Sequence, residues 1–306
     1  MSEPPKLKIR TKITISRADG SVFEEEVETT TDPEILEGSL EGVEDLARVK
    51  LPPVGHCIYC GRTDNLSREH IIPFGLNGNV VLLAASCARC QKITASFERE
   101  VLRGSMRAIR VRLQLQSRKK HAGAPLIQRL SFTRNGVSET IDLPIERFPI
   151  FLRLLKFAPP GYFTGEQKLG IDITGAQTIL FGPRPEVVAR ELDAQELTFT
   201  SARDHPTSFP RMIAKIGYGM AFAREEIDRI EGPSPVIPSM LGEVNDIGRW
   251  VGTLPGPLRK YAGLLHRVEI HEDTERRCLI AEVQLFSNLA TPTYVVVLGP
   301  LKPKGS

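Results

Sequence analysis

Two Cys-x2-Cys pairs, Cys57/Cys60 and Cys87/Cys90, bracket the segment Arg68-Glu69-His70-Ile71-Ile72-Pro73. Four thiolates suit tetrahedral Zn²⁺, and a shell closed by four sulfurs leaves no position for water, so such a zinc is structural. Chemistry then falls to the residues between the pairs. Imidazole is the usual general base for water at neutral pH, and a carboxylate is a hard ligand suited to Mg²⁺ or Mn²⁺. Side by side, Glu69 and His70 supply two parts of a metal-assisted phosphodiester hydrolysis. Adjacent strand residues point to opposite faces, so the two share one site only near a bend or strand end. The bland alternative is a histidine hydrogen-bonded into the ribbon with no catalytic metal.

Order and spacing carry a resemblance. The run C-I-Y-C … E-H-I-I-P … N-x7-C-A-R-C-Q-K-I-T-A-S-F-E, over residues 57–98, resembles the HNH (His-Me finger) endonuclease family. It looks most like a subgroup with CxxC, EHIIP, ASCxxC and ITxxFE segments. The resemblance implies a β-hairpin and a following helix that grip one catalytic divalent metal, Mg²⁺ or Mn²⁺. It makes His70 the general base, Glu69 a metal ligand and Asn79 the residue that orients the base, with Asn77 a second possibility. Asn79 stands eight residues before Cys87, farther than the family pattern has it. Gln91 follows the second pair, where the family has Asn or His. Glu98, seven residues on and on the same helix face, is a further oxygen ligand in reach.

These residues need elements to position them. Alternating runs at residues 7–30, joined by Ala18-Asp19-Gly20, predict an N-terminal hairpin. Leu51-Pro52-Pro53-Val54-Gly55 marks a boundary. A helix is expected from Thr94 to about Leu115, its later part open to becoming a strand. Short strands around Asn135-Gly136 follow. Met212, Ile213, Ile216, Met220, Ala223 and Ile227 recur at helical spacing over residues 209–231, with Pro233, Pro235 and Pro238 as the stop. Two strand-like runs, CLIAEVQLF and TYVVVLG, come last, and lone Cys278 reads as a small buried hydrophobe. The expected architecture is α+β: residues 1–52 a hairpin and linker, 53–122 a zinc-stapled ββα-metal module with a basic helix, and 123–306 a larger mixed α/β domain.

Charge suggests the partner. The net charge of +3 over 306 residues says little, but its placement says more. Arg99, Arg103, Arg107, Arg110, Arg112, Arg118, Lys119 and Lys120 face Glu100 as the single acid between residues 99 and 120. Arg99, Arg103, Arg107 and Arg110 would form one stripe on a continuous helix, fit for phosphate contacts that give affinity without reading sequence. The expected partner is nucleic acid, DNA first. A solvated basic face is the competing reading. His56, beside Cys57, is a spare metal ligand that four thiolates make unnecessary, and His121, His205, His266 and His271 have no partners at ligand spacing. No apolar run is long enough for a membrane span, and the N-terminus lacks a secretory pattern, so a cytoplasmic location is expected. The expected activity is a metal-dependent HNH endonuclease. A non-catalytic zinc ribbon that binds nucleic acid is the alternative, and a structural or protein-binding staple the third.

Overall fold

The computed structural model describes residues 7–16, 21–30, 36–44, 46–116, 126–200 and 204–303. Strands β1 (Lys8–Ser16), β2 (Val22–Thr30), β3 (Leu36–Glu37), β4 (Val49–Pro53), β5 (Ser67–His70) and β6 (Val80–Ser86) come first. Helices α1 (Ala88–Arg103) and α2 (Arg107–Arg112) follow. Next come β7 (Ile127–Arg134), β8 (Val137–Pro144), β9 (Ile150–Phe157), α3 (Gly161–Thr164), β10 (Ile173–Phe181), α4 (Pro185–Leu192) and β11 (Glu196–Thr200). The last are α5 (Ser208–Ala223), α6 (Val236–Leu241), α7 (Ile247–Trp250), β12 (Val251–Thr253), β13 (His266–Asp273), β14 (Cys278–Leu285) and β15 (Thr293–Pro300). The fold is mixed α+β with several small sheets. No helix among the described residues is long and apolar enough to cross a membrane.

The chain forms two compact units, each assembled from separate stretches. One comprises Met1–Ser39, Val101–Arg153 and Thr178–His205; the other comprises Leu40–Glu100, Leu154–Gln177 and Pro206–Ser306. These units divide the chain at other places than the boundaries expected at residues 52 and 122. The reason is that a two-stranded ribbon is marginal alone and needs further strands. β1 pairs in parallel with β11, Ile9 opposite Leu197, which draws the N-terminal hairpin into a sheet of order β2-β1-β11-β7-β8. The hairpin itself forms, with Lys8 opposite Thr30 to Ser16 opposite Val22. Its Asp19-Gly20 turn lies outside the described residues. In the β7–β8 hairpin, Asn135 (φ 51°) and Gly136 (φ 75°) both sit at positive φ, as a two-residue primed turn requires.

The second unit holds the cysteine segment. A three-stranded sheet of order β4-β6-β5 leads directly into α1, and a four-stranded sheet of order β12-β15-β14-β13 supports α5. Cys278 is fully buried in β14. Helix α5 lies so close to its sheet that a Cβ on Gly217 would come within 2.9 Å of the Ala281 Cβ. It ends at Ala223, earlier than the prolines suggest, where Glu225 takes a left-handed conformation (φ 59°). Pro235 and Pro238 instead begin α6. The helix expected from Thr94 starts earlier, at Ala88, stops at Arg103 and never becomes a strand. A turn through Gly104, Ser105 and buried Met106 separates it from α2.

One histidine anchors the Pro73–Leu76 turn. The His266 Nδ1 accepts from the Phe286 N–H at 3.2 Å, which leaves the proton on Nε2 to be donated to the Leu76 carbonyl at 2.7 Å. Burial pushes this imidazole down to about 4, against the opposing pull of the Leu76 carbonyl. An unfolded histidine titrates near about 6.5, so between those values the unfolded chain binds the extra proton. Stability is full above the window and falls by up to about 3 kcal/mol as pH drops through it. Denaturant unfolding across this range should show that loss in wild type and lack its histidine component in His266→Gln.

Candidate functional site

The cysteine cluster is built by two turns. Gly61 (φ 74°) lets its N–H return to the Cys57 carbonyl at 2.8 Å, while the Cys57 N–H reaches the Arg62 carbonyl at 2.7 Å. The second pair sits at the start of α1, with the Gln91 N–H on the Cys87 carbonyl at 2.9 Å. The four sulfurs lie within 4.8 Å of one another, and the Cys60 and Cys87 sulfurs are 3.6 Å apart. A tetrahedral zinc with Zn–S near 2.3 Å separates its sulfurs by about 3.8 Å, so the donor set fits a metal ion such as zinc. Burial raises the Cys87 thiol, but the Cys90 N–H and neighbouring thiols more than offset this and bring it down to about 7. Among the described residues this is the only cluster of His, Cys, Asp and Glu placed to hold a metal.

Glu69 and His70 end β5, just before a bend, as a shared site would require. The backbone nevertheless sends them apart. Alternation along the strand leaves Glu69 buried and His70 half-buried, just after a register shift between Ser67 and Glu69 opposite Ala84 at φ 46°. Inward, the Glu69 carboxylate meets the ammonium of Lys215 at 2.7 Å, and Glu98 of α1 meets the same nitrogen at 2.7 Å. The Lys215 Nζ also donates to the His70 carbonyl. The Ile71 carbonyl lies 3.5 Å from the same nitrogen. Lys215 is 1% exposed. Burial alone would lower its basicity, but Glu69 and Glu98 hold it above the ordinary lysine range. Burial, followed by the charges of Glu69 and Glu98, pushes the Tyr59 phenol well above its own range.

Lys215 belongs to a polar stripe along α5. The Ser208 hydroxyl donates to the Glu100 carboxylate, and the Arg211 guanidinium lies 4.9 Å from the centre of the Phe97 ring. The Tyr218 hydroxyl donates to the Ile58 carbonyl at 2.6 Å beside the first cysteine pair. Residues 208, 211, 215 and 218 follow the three- and four-residue spacing of one helix face. The apolar periodicity of this helix predicts its position but not the stripe. Its signal was present: a lysine inside an apolar helix needs a buried counter-charge.

The remaining predicted residues are dispersed. The His70 ring faces Phe74 edge-on at 5.5 Å, and Arg48 lies 5.1 Å over the same Phe74. Asn79 donates to the Ala47 carbonyl at 3.3 Å, so its amide fastens the segment before β4. Asn77 takes a left-handed conformation (φ 59°) that closes the Phe74–Leu76 turn. Gln91 is exposed on α1, and His56 stands edge-on to Phe222 at 6.0 Å. The single arginine stripe does not form, because the turn after Arg103 interrupts it. Arg110 donates to the Leu102 carbonyl at 2.8 Å and Arg112 to the Ile145 carbonyl at 3.1 Å, roles that stitch backbone together. Arg99, Arg103 and Arg107 are exposed. Arg118, Lys119, Lys120 and His121 lie outside the described residues.

The Mg²⁺ or Mn²⁺ ion that the resemblance implies can be tested against these donors. Both carboxylates assigned to it, Glu69 and Glu98, already bond a buried ammonium. The residues present do not fit a second metal there. No protein-family model, curated protein or solved structure matches this chain.

Proposed function

We propose that residues 46–100 form an HNH-type module, stapled by zinc on Cys57, Cys60, Cys87 and Cys90, that engages nucleic-acid phosphates, DNA first. The β5–β6 hairpin running straight into α1, with a cysteine pair at either end, supports the ββα reading. One observation carries the binding function: exposed cations outnumber exposed acids on the module. Arg48, Lys50, Arg62, Arg68, Lys92 and Arg99 are exposed against the acids Asp64 and Glu100, while Glu69 and Glu98 turn inward onto Lys215. Outward cations of this kind supply the sequence-independent attraction to phosphate. The half-exposed His70–Phe74–Arg48 cluster adds aromatic and cationic side chains of the types that contact bases and phosphates.

The test is a pair of exposed cations outside any ion pair among the described residues. Arg68→Ala with Lys92→Ala should weaken binding alike for all sequences and flatten the log-affinity against log-salt slope by about one to two units. An unchanged slope would return both to solvated surface.

Metal-dependent phosphodiester hydrolysis with His70 as general base is the second reading. The observation favouring it is the half-exposed histidine at a strand end directly after an acid. Its ion would need carboxylates that Lys215 now occupies.

A further inference from the structure

We infer that Lys215 is a built-in cation that closes the Glu69–Glu98 pair to divalent metals, so that the module's cation position is filled by the chain itself. Two carboxylate oxygens and one backbone carbonyl, that of His70, converge on a single nitrogen. This is an oxygen set of the kind that hard divalent cations take, at the shorter metal–oxygen distances of about 2.0–2.6 Å. The oxygens come from two separate elements, β5 and α1, and a third, α5, brings the positive charge. Glu69 is 6% exposed and Lys215 1%, so water does not hold these charges apart. A metal entering this position would have to displace an ammonium ion-paired with two carboxylates and bonded to the His70 carbonyl. Conversely, a neutral side chain at 215 would leave two carboxylates facing one another with a net charge matching that of a divalent ion.

This inference does not depend on nucleic-acid binding, and its test reads metal alone. Zinc-loaded full-length protein is titrated with Mn²⁺ and the free ion followed by its electron paramagnetic resonance signal. Wild type and Glu69→Gln should give the same curve, with no ion held by this pair. Lys215→Met, checked for zinc content and circular dichroism, should gain Mn²⁺ affinity at least about tenfold, equivalent to about 1.4 kcal/mol. The gain should vanish in Lys215→Met/Glu69→Gln. Wild-type Mn²⁺ binding that Glu69→Gln abolishes would overturn the inference, as would a folded Lys215→Met that binds no more Mn²⁺ than wild type. Should Lys215→Met not fold, the comparison of wild type with Glu69→Gln decides alone.

Discussion

Cys87→Ser is expected to cost the chain its bound metal and, with it, the folded state of residues 57–98. The segment is short, and its interior rests on few apolar side chains, among them Ile58, Ile71, Leu76, Leu82 and Phe97. A core of that size cannot offset the conformational entropy of ordering the chain unaided. Structural zinc contributes about 10–16 kcal/mol in small modules at neutral pH, comparable to the whole stability of a domain. Cys87 is buried and opens the second knuckle, 3.6 Å from Cys60 of the first, so a hydroxyl there weakens the shell the two knuckles share. Elemental analysis should fall from about one zinc per chain in wild type to well below that in the variant. Amide exchange should accelerate across β5, β6 and the first turns of α1. A variant that keeps slow exchange in these elements after losing its metal would show that packing, not zinc, holds them.

The second large effect is expected at Lys215, where Lys215→Ala should destabilise the protein by about 3–5 kcal/mol. Removing one partner of a buried ion pair strands the other, and here two carboxylates are left facing each other. Replacing all three charges together, as Lys215→Met/Glu69→Gln/Glu98→Gln, removes the stranded charge and should recover most of the loss. Urea unfolding of the single and triple variants gives the comparison. If the single change costs less than about 1 kcal/mol, as exposed pairs do, the cluster is solvated in solution.

What the sequence made legible followed from local rules. The x2 spacing of the cysteines identified the metal cluster, because each knuckle is a turn of a few residues. Asn135-Gly136 placed a hairpin, because positive φ at two successive positions admits few residue types. Less legible were features made by residues far apart in the chain. The polar stripe of α5 only has meaning once Glu69, Glu98 and Glu100 are brought to it. The periodicity argument sorted that helix into apolar and polar faces, whereas Lys215 is buried as deeply as its apolar neighbours. The arginine stripe assumed one uninterrupted helix, and the turn at Gly104-Ser105-Met106 broke that assumption. The acid–histidine pair closes a strand, yet alternation along that strand sends its members to different surroundings.

We propose that the module binds nucleic acid through phosphate contacts without a catalytic divalent ion of its own. The most direct test is a salt series with end-labelled DNA and RNA in Mg²⁺ or Mn²⁺, with each sample run on native and denaturing gels. The account predicts binding whose logarithm falls linearly with the logarithm of salt, and strands that remain intact on the denaturing gel. Absence of salt-dependent binding to any nucleic acid would contradict it. So would strand cleavage that disappears in His70→Ala, since that would make the histidine a catalytic base beside a working metal.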